Sequence, residues 1–368
     1  MQNDIFAAKF FSGANSPSGF VSRFNNLYDP EGDWFAYIIK GGPGTGKSTL
    51  MKKAASTATQ KNIKTELIYC SSDPDSLDAV IFSDIKVCIL DGTAPHTMDP
   101  IFPGVSDTVV NLGECWDADS LREAKSEIIK TTKENSYFHK RSQRYLSACG
   151  ALHSDSNRVV SESVRKDKVI DYTNKLSKRI LGLSENKSSK ETVRLISGIT
   201  PNGLVYFEDT ISMLANNIYI IEDEYSAVSN IIMSVLRKNA LACGYDIITC
   251  YCPMSPMNKI ETIIIPELSI AFAVSNSWHP LSELEAHRRI HARRFMDPDS
   301  ISSRKQRLGF NRKMERELLN EAIYNLQQAK SIHDKLETYY TSCMNYDSLN
   351  EVSTNLISDI FGSITNRI

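Results

Sequence analysis

The chain has 368 residues, 41% of them hydrophobic, enough for one large or two ordinary globular cores. Its 44 acidic and 42 basic residues leave a net charge of -2, so no overall field draws it to nucleic acid or anionic lipid. The 8 cysteines are scattered without a CxxC pair, which excludes a disulfide framework and speaks against a zinc site.

The first residues, MQNDIFAAKFF, lack the basic end and long apolar core of a secretory signal. No apolar run reaches the ~18–20 residues that span a bilayer. A cytoplasmic protein with no membrane partner is expected. A short hairpin is predicted around Pro17 and Gly19, followed by the stretch YIIKGGPGTGKSTLM at 37–51. An apolar strand, Tyr37-Ile38-Ile39, leads into Gly41-x-x-x-x-Gly46-Lys47-Ser48, and a helix follows: the complete context of a P-loop. Glycines allow successive backbone N–H groups to turn inward on an anion, and the helix N-terminus adds partial positive charge. The phosphate-binding set is then Gly41, Gly42, Pro43, Gly44, Thr45, Gly46, Lys47, Ser48 and Thr49. Lys47 is expected on the β- and γ-phosphates and the Ser48 hydroxyl on Mg²⁺.

Further along, SSDPDSLD at 71–78 carries Asp73 and Asp75 after a strand. Either suits a carboxylate that orients the attacking water or an acceptor hydroxyl, and an Asp-Pro-Asp-Ser run equally suits a helix cap or Asx turn. The apolar KVCILDG ends in Asp91, the expected second ligand of Mg²⁺. Gly92 stands where many ATPases place a glutamate base. His96 lies just beyond. Residues 118–183 read as long charged helix, and SENKSSKE at 184–191 as a linker.

From there the chain repeats itself. A hairpin is predicted around Pro201 and Gly203. Tyr219-Ile220-Ile221 matches Tyr37-Ile38-Ile39, a shift of 182. Ile232-Met233 matches Leu50-Met51, and segments at 195–205, 250–252, 263–273, 276–279 and 325–333 find partners at similar shifts. A colinear series of this kind is an internal duplication. The second loop is ruined: Asp223 stands for Gly41, Val228 for Gly46, Ser229 for Lys47 and Asn230 for Ser48. The acidic Glu222-Asp223-Glu224 would repel a triphosphate. Asp91, Asp73 and Asp75 fall opposite Val274, Ser255 and Met257, so the nucleotide-related residues are lost together. His279 persists opposite His96, which favours a structural role for that pair; His153 and His333 pair similarly and read as packing or inter-helix hydrogen bonding. A second helical stretch, 283–365, carries Ile323, Leu326, Ala329, Ile332 and Leu336 at helical spacing. It also holds a basic cluster from Arg288 to Lys313. That cluster suits a solvated face, an arginine finger for the first-half nucleotide, or a polyanion contact, and sparse aromatics give nucleic acid little support.

Taken together, FFSGANSPSGFVSRFNNLY, YIIKGGPGTGKSTLMKK, YCSSDPDSLDAVIF and KVCILDGTAPH resemble a family of uncharacterised bacterial tandem P-loop proteins, usually labelled ATPase and sometimes nucleotide kinase. The resemblance covers nearly the whole chain. It implies two P-loop NTPase-like domains and ATP binding, and brings no substrate or pathway. The eroded second loop departs from that pattern and counts against a two-site mechanism.

The expected fold is α/β, with two tandem duplicated domains at 1–185 and 192–368. Each is expected to be a mainly parallel sheet flanked by helices with its own long α-helical hairpin. The expected function is a Mg²⁺-dependent ATP hydrolase whose catalytic residues are Lys47, Asp91 and Asp73 or Asp75, with the second half a pseudo-subunit inside a monomer. ATP is favoured over GTP because DxxG and NKxD motifs are missing. A nucleotide or small-molecule kinase and a non-enzymatic ATP-dependent switch are the alternatives.

Overall fold

The computed structural model describes residues 7–94, 97–182 and 188–362. The first repeat comprises β1 (Ala8–Phe11), β2 (Gly13–Ser16), β3 (Gly19–Ser22), β4 (Phe35–Lys40), α1 (Lys47–Gln60), β5 (Thr65–Tyr69), β6 (Leu77–Phe82), β7 (Val87–Asp91), β8 (Asp107–Asn111), α2 (Ala118–Glu123), α3 (Lys125–Ser161) and α4 (Lys166–Ile180). The second comprises β9 (Glu191–Arg194), β10 (Ser197–Thr200), β11 (Gly203–Tyr206), α5 (Glu208–Leu214), β12 (Asn217–Glu222), α6 (Ser229–Ala242), β13 (Ile247–Tyr251), β14 (Ile260–Ile265), β15 (Ile270–Ser275), β16 (Arg288–His291), α7 (Pro298–Ser302), α8 (Lys305–Thr341) and α9 (Tyr346–Gly362).

β4 is a central strand, paired in parallel with β7 and β8. Its Ile38 and Ile39 are fully buried, as expected of an apolar run covered on both faces. The helix after it buries Leu50, Met51, Ala54, Ala55 and Ala58, one apolar stripe at helical spacing.

The duplication is visible in the topology. One six-stranded sheet has the order β1-β5-β6-β7-β4-β8, and the other, read from β9, has β9-β13-β14-β15-β12-β16. Even irregularities repeat: a register shift between Ile68 and Tyr69 recurs between Cys250 and Tyr251. Ile39 lies beside Asp91 in one sheet and Ile221 beside Val274 in the other, which fixes Val274 as the counterpart of Asp91.

Both sheets are mixed, although most pairings are parallel. β6 runs antiparallel to β5 and β7, and β14 antiparallel to β13 and β15. The matching segments 80–90 and 263–273 are both hairpins. Lys86 (φ 54°) and Ser269 (φ 52°) turn the chain in the left-handed region, so no crossover helix is needed. The predicted helix at 283–365 starts only at Pro298, because Arg288–His291 forms an edge strand beside β12.

The compact units do not follow the repeats. One gathers the described residues of 1–13, 22–141 and 325–368; the other gathers 14–21 and 142–324. In the first, Leu349, Leu356, Ile360 and Phe361 of α9 share a core with Leu50, Met51 and Ala54 of α1. In the second, Val159, Val160, Val169 and Leu176 of α3 and α4 share a core with Ile232, Met233 and Leu236 of α6. Each repeat's sheet is therefore completed by the helix pair that ends the other repeat, rather than by its own hairpin. Of the predicted linker, residues 184–187 lie outside the described residues, and Glu191 already belongs to β9. No described helix is long and apolar enough to cross a membrane.

Candidate functional site

The first unit's glycine loop leaves the carboxyl end of β4, at the edge where parallel strands of an α/β sheet hold ligands. Gly44 (φ 67°) and Gly46 (φ 84°) take the left-handed conformation, which turns the chain into α1 without the Cβ penalty. Thr45 is buried and its hydroxyl donates to the Gly42 carbonyl at 2.8 Å. No side chain caps the N-terminus of α1, and its first turn holds no acidic residue. The first-turn amides of α1 therefore have no capping side chain of their own.

Lys47 folds back along this loop. Its Nζ donates to the carbonyls of Gly42 (2.7 Å) and Gly41 (3.2 Å), and stands 3.7 Å from Asp91 Oδ2 at the end of β7. Asp91 Oδ1 accepts from the Thr93 N–H at 2.9 Å and from the Thr93 hydroxyl. Ser48 Oγ accepts from the Leu77 N–H at 3.0 Å, tying the 71–77 turn to the first turn of α1. Lys47, Ser48 and Asp91 are thereby gathered at one place. Gly92 cannot carry a glutamate side chain here, because a Cβ would lie 2.5 Å from Ile38 Cγ2.

Asp73 and Asp75 separate. Asp73 accepts from the Ser76 hydroxyl at 2.7 Å and lies 3.6 Å from Lys330 Nζ. Asp75 is exposed, and its carbonyl accepts from Lys52. Thr49 is exposed on α1, and Pro43 is half-buried. His96 lies outside the described residues.

Sequence reasoning missed the residues that α8 and α9 bring to the loop. A Cβ on Gly42 would meet the Tyr340 ring at 2.6 Å; on Gly44, Thr341 at 2.9 Å; on Gly46, Leu349 at 2.9 Å. A Cβ on Gly44 would also lie 3.0 Å from Glu337 Cβ. A signal for these residues existed in the repeat. Lys330 and Glu337 fall opposite Gly150 and Asn157, an asymmetry of the same kind as Lys47 against Ser229.

The second unit's loop closes on itself. Asp223, 2% exposed, accepts from the N–H groups of Val228 and Ser229, both at 2.8 Å. Burial pushes its carboxyl up, against the pull of those donors. Of the acidic triplet, this one residue fills the loop. Glu222 turns to Arg289 and His291, and Glu224 to Ser277 and Arg312. Asn157 donates to the Tyr225 carbonyl at 2.8 Å.

The basic stretch is largely committed within this unit. Arg304 binds the Val159 carbonyl and Glu162, Arg307 binds Asp155, and Arg294 lies 5.0 Å over the Tyr172 ring. His279 is half-buried and stacked on Tyr206, with Nε2 2.9 Å from Glu261 Oε1. Burial raises the Glu261 carboxyl, but His279 and the Ser197 hydroxyl outweigh it and hold it below its usual range. His153 pairs with Glu315 across two helices, as read from the sequence, whereas His333 pairs with Glu337 along one helix.

Comparison of the chain with family models, with curated proteins and with solved structures returns no match.

Proposed function

We propose that the first unit binds Mg²⁺–ATP in the Gly41–Ser48 loop and hydrolyses it, and that the second repeat is a pseudo-subunit that does not bind nucleotide. One observation carries this reading. Two loops of common origin start helices of equal length, and one has its N–H groups filled by its own buried Asp223 while the other keeps no such internal group. The open loop is the one that also has a lysine and a carboxylate beside it. The resemblance to tandem P-loop proteins points the same way.

In this reading the loop amides and Lys47 neutralise phosphate charge and hold the chain of phosphates in place. Ser48 and Asp91 would hold Mg²⁺, which when bound supplies further charge neutralisation at the phosphates. Asp73, oriented by Ser76, takes the role of the carboxylate that positions the attacking water. Lys330 lies against Asp73 and provides a cation from a helix of the second repeat.

The test is release of inorganic phosphate from ATP with Mg²⁺, by wild type and by Lys47→Ala. Release that depends on Lys47 and needs no acceptor supports the ATPase. Transfer of the γ-phosphate only when an acceptor hydroxyl is supplied assigns a kinase instead. Nucleotide binding without either reaction assigns an ATP-dependent switch.

A further inference from the structure

The second repeat has lost its phosphate loop but keeps a cleft at the carboxyl edge of its sheet, and a buried lysine lines that cleft. We propose that the cleft binds a small organic anion, a carboxylate or phosphate group on a short apolar body, and that Lys259 takes the anionic group. The inference goes beyond the nucleotide reading and does not depend on it.

The cleft lies wholly within the second unit. Its lining comes from the turn after β13, the start of β14 and the turn after β15, the edge at which α/β sheets hold ligands. The β10–β11 hairpin, α3 and α8 contribute the rest. Leu204, Val205, Met254, Trp278 and Leu319 make most of that lining apolar. The space is ≈ 500 Å³ with its open mouth included, which restricts the occupant to a small molecule.

Lys259 sets the chemistry. It is 5% exposed, yet among the described residues its ammonium has no oxygen acceptor and no carboxylate at ion-pair distance. The Cys252 thiol beside it is a weak acceptor. A buried charge without a counter-ion is costly, so a lysine in this position marks a place that an anion completes. The carboxylates of the cleft have partners of their own. Glu261, fully buried, accepts from the Ser197 hydroxyl and stands 2.9 Å from His279 Nε2. Glu315 accepts from the Ser156 hydroxyl at 3.1 Å and lies 3.5 Å from His153 Nδ1.

The repeats differ in the same sense. Matching backbone bonds, from the Cys70 N–H to the Ser76 carbonyl and from the Cys252 N–H to the Lys259 carbonyl, fix Ser76 as the counterpart of Lys259. Ser76 donates to Asp73, in the turn tied to the glycine loop. In the second repeat Ser255 stands for Asp73, Met254 for Ser72 and Trp278 for Pro95. The polar and acidic turn beside the open loop is thus replaced, at the filled loop, by an apolar lining with a buried cation.

Calorimetric titration of the full chain with phenylacetate, phenyl phosphate and neutral phenylacetamide tests this, on wild type, Lys259→Met and Lys47→Ala. At least one of the two anions is expected to bind wild type at one site per chain, and which one binds tells carboxylate from phosphate. That anion should bind Lys259→Met about tenfold more weakly or worse, the scale of one charge-assisted hydrogen bond, and should bind Lys47→Ala as it binds wild type. Phenylacetamide should bind wild type more weakly than the anion by a similar factor. A second measurement needs no ligand. Methionine fills the volume of the lysine stem without its charge, so the urea midpoint of Lys259→Met should equal or exceed that of wild type. A lower midpoint would mean that the folded chain already satisfies the ammonium, and would overturn the proposal. So would failure of both anions to bind, binding indifferent to Lys259, or anion binding lost with Lys47, which assigns the anion to the glycine loop instead.

Discussion

The ammonium of Lys47 stands 3.7 Å from the carboxylate of Asp91, both side chains largely buried, at the meeting of the glycine loop with the end of β7. This pair is what the second repeat has lost, where Ser229 and Val274 take the two places. Asp91→Asn leaves Lys47 buried beside a neutral group and removes a proposed metal ligand. The expected outcome is a nucleotide affinity that no longer responds to Mg²⁺ and is lowered about tenfold or more in its presence. Titration with and without Mg²⁺ reads this. An unchanged response to Mg²⁺ removes Asp91 from the site.

Asp223 holds the second loop by accepting two buried backbone donors. Asp223→Ala orphans both, at a cost of about 1–3 kcal/mol each when no water replaces the acceptor. Chemical denaturation of the variant should show a loss of this order, with nucleotide affinity unchanged. Ser229→Ala should likewise leave nucleotide binding as it is. A fall in nucleotide affinity from either change contradicts the division of labour between the loops.

Gly46→Ala meets two obstacles, a φ of 84° and Leu349 Cδ2 at 2.9 Å from the new Cβ. The conformational strain alone is about 1–2 kcal/mol. Nucleotide affinity should fall and the thermal midpoint should drop. The double variant Gly46→Ala with Leu349→Ala should not restore nucleotide affinity, because the backbone strain remains. Full restoration would mean that this glycine serves helix packing alone.

Acid should weaken the second unit through Asp155. Hydrogen bonds from Asn311 and Arg307 lower its carboxyl from 3.8 to about 2. A lowered folded-state value means the contribution is complete above the unfolded value of 3.8 and fades as pH falls toward about 2. The stability difference between wild type and Asp155→Asn, from urea unfolding, should be constant near neutrality and should shrink between pH about 4 and about 2. A gap that widens over that range would contradict this assignment.

The strand, glycine loop and helix at 35–60 were legible because local sequence dictates them: an apolar run, left-handed glycines, an apolar stripe. The duplication was legible because both repeats kept the residues that bury their sheets. The antiparallel β6 was hidden, since VIFSDIKVCIL contains two apolar strands and the turn residue Lys86 is not one that announces a left-handed turn. Arg288 and Arg289 looked helical by charge, and only their pairing beside β12 makes them a strand. The helix exchange between repeats left no local mark, because helical periodicity shows that a face is apolar and not which sheet it covers. Glu337 and Gly44 are far apart in sequence, and only the mismatch with Asn157 pointed to them.

The most direct test of the central claim is calorimetric binding of Mg²⁺–ATP to wild type, Lys47→Ala and Ser229→Ala, each shown to be folded by circular dichroism. One nucleotide per chain is expected for wild type and for Ser229→Ala, with binding lost or weakened at least a hundredfold, about 2.7 kcal/mol, in Lys47→Ala. Two nucleotides per chain, equal losses from both substitutions, or binding indifferent to Lys47 would contradict the account.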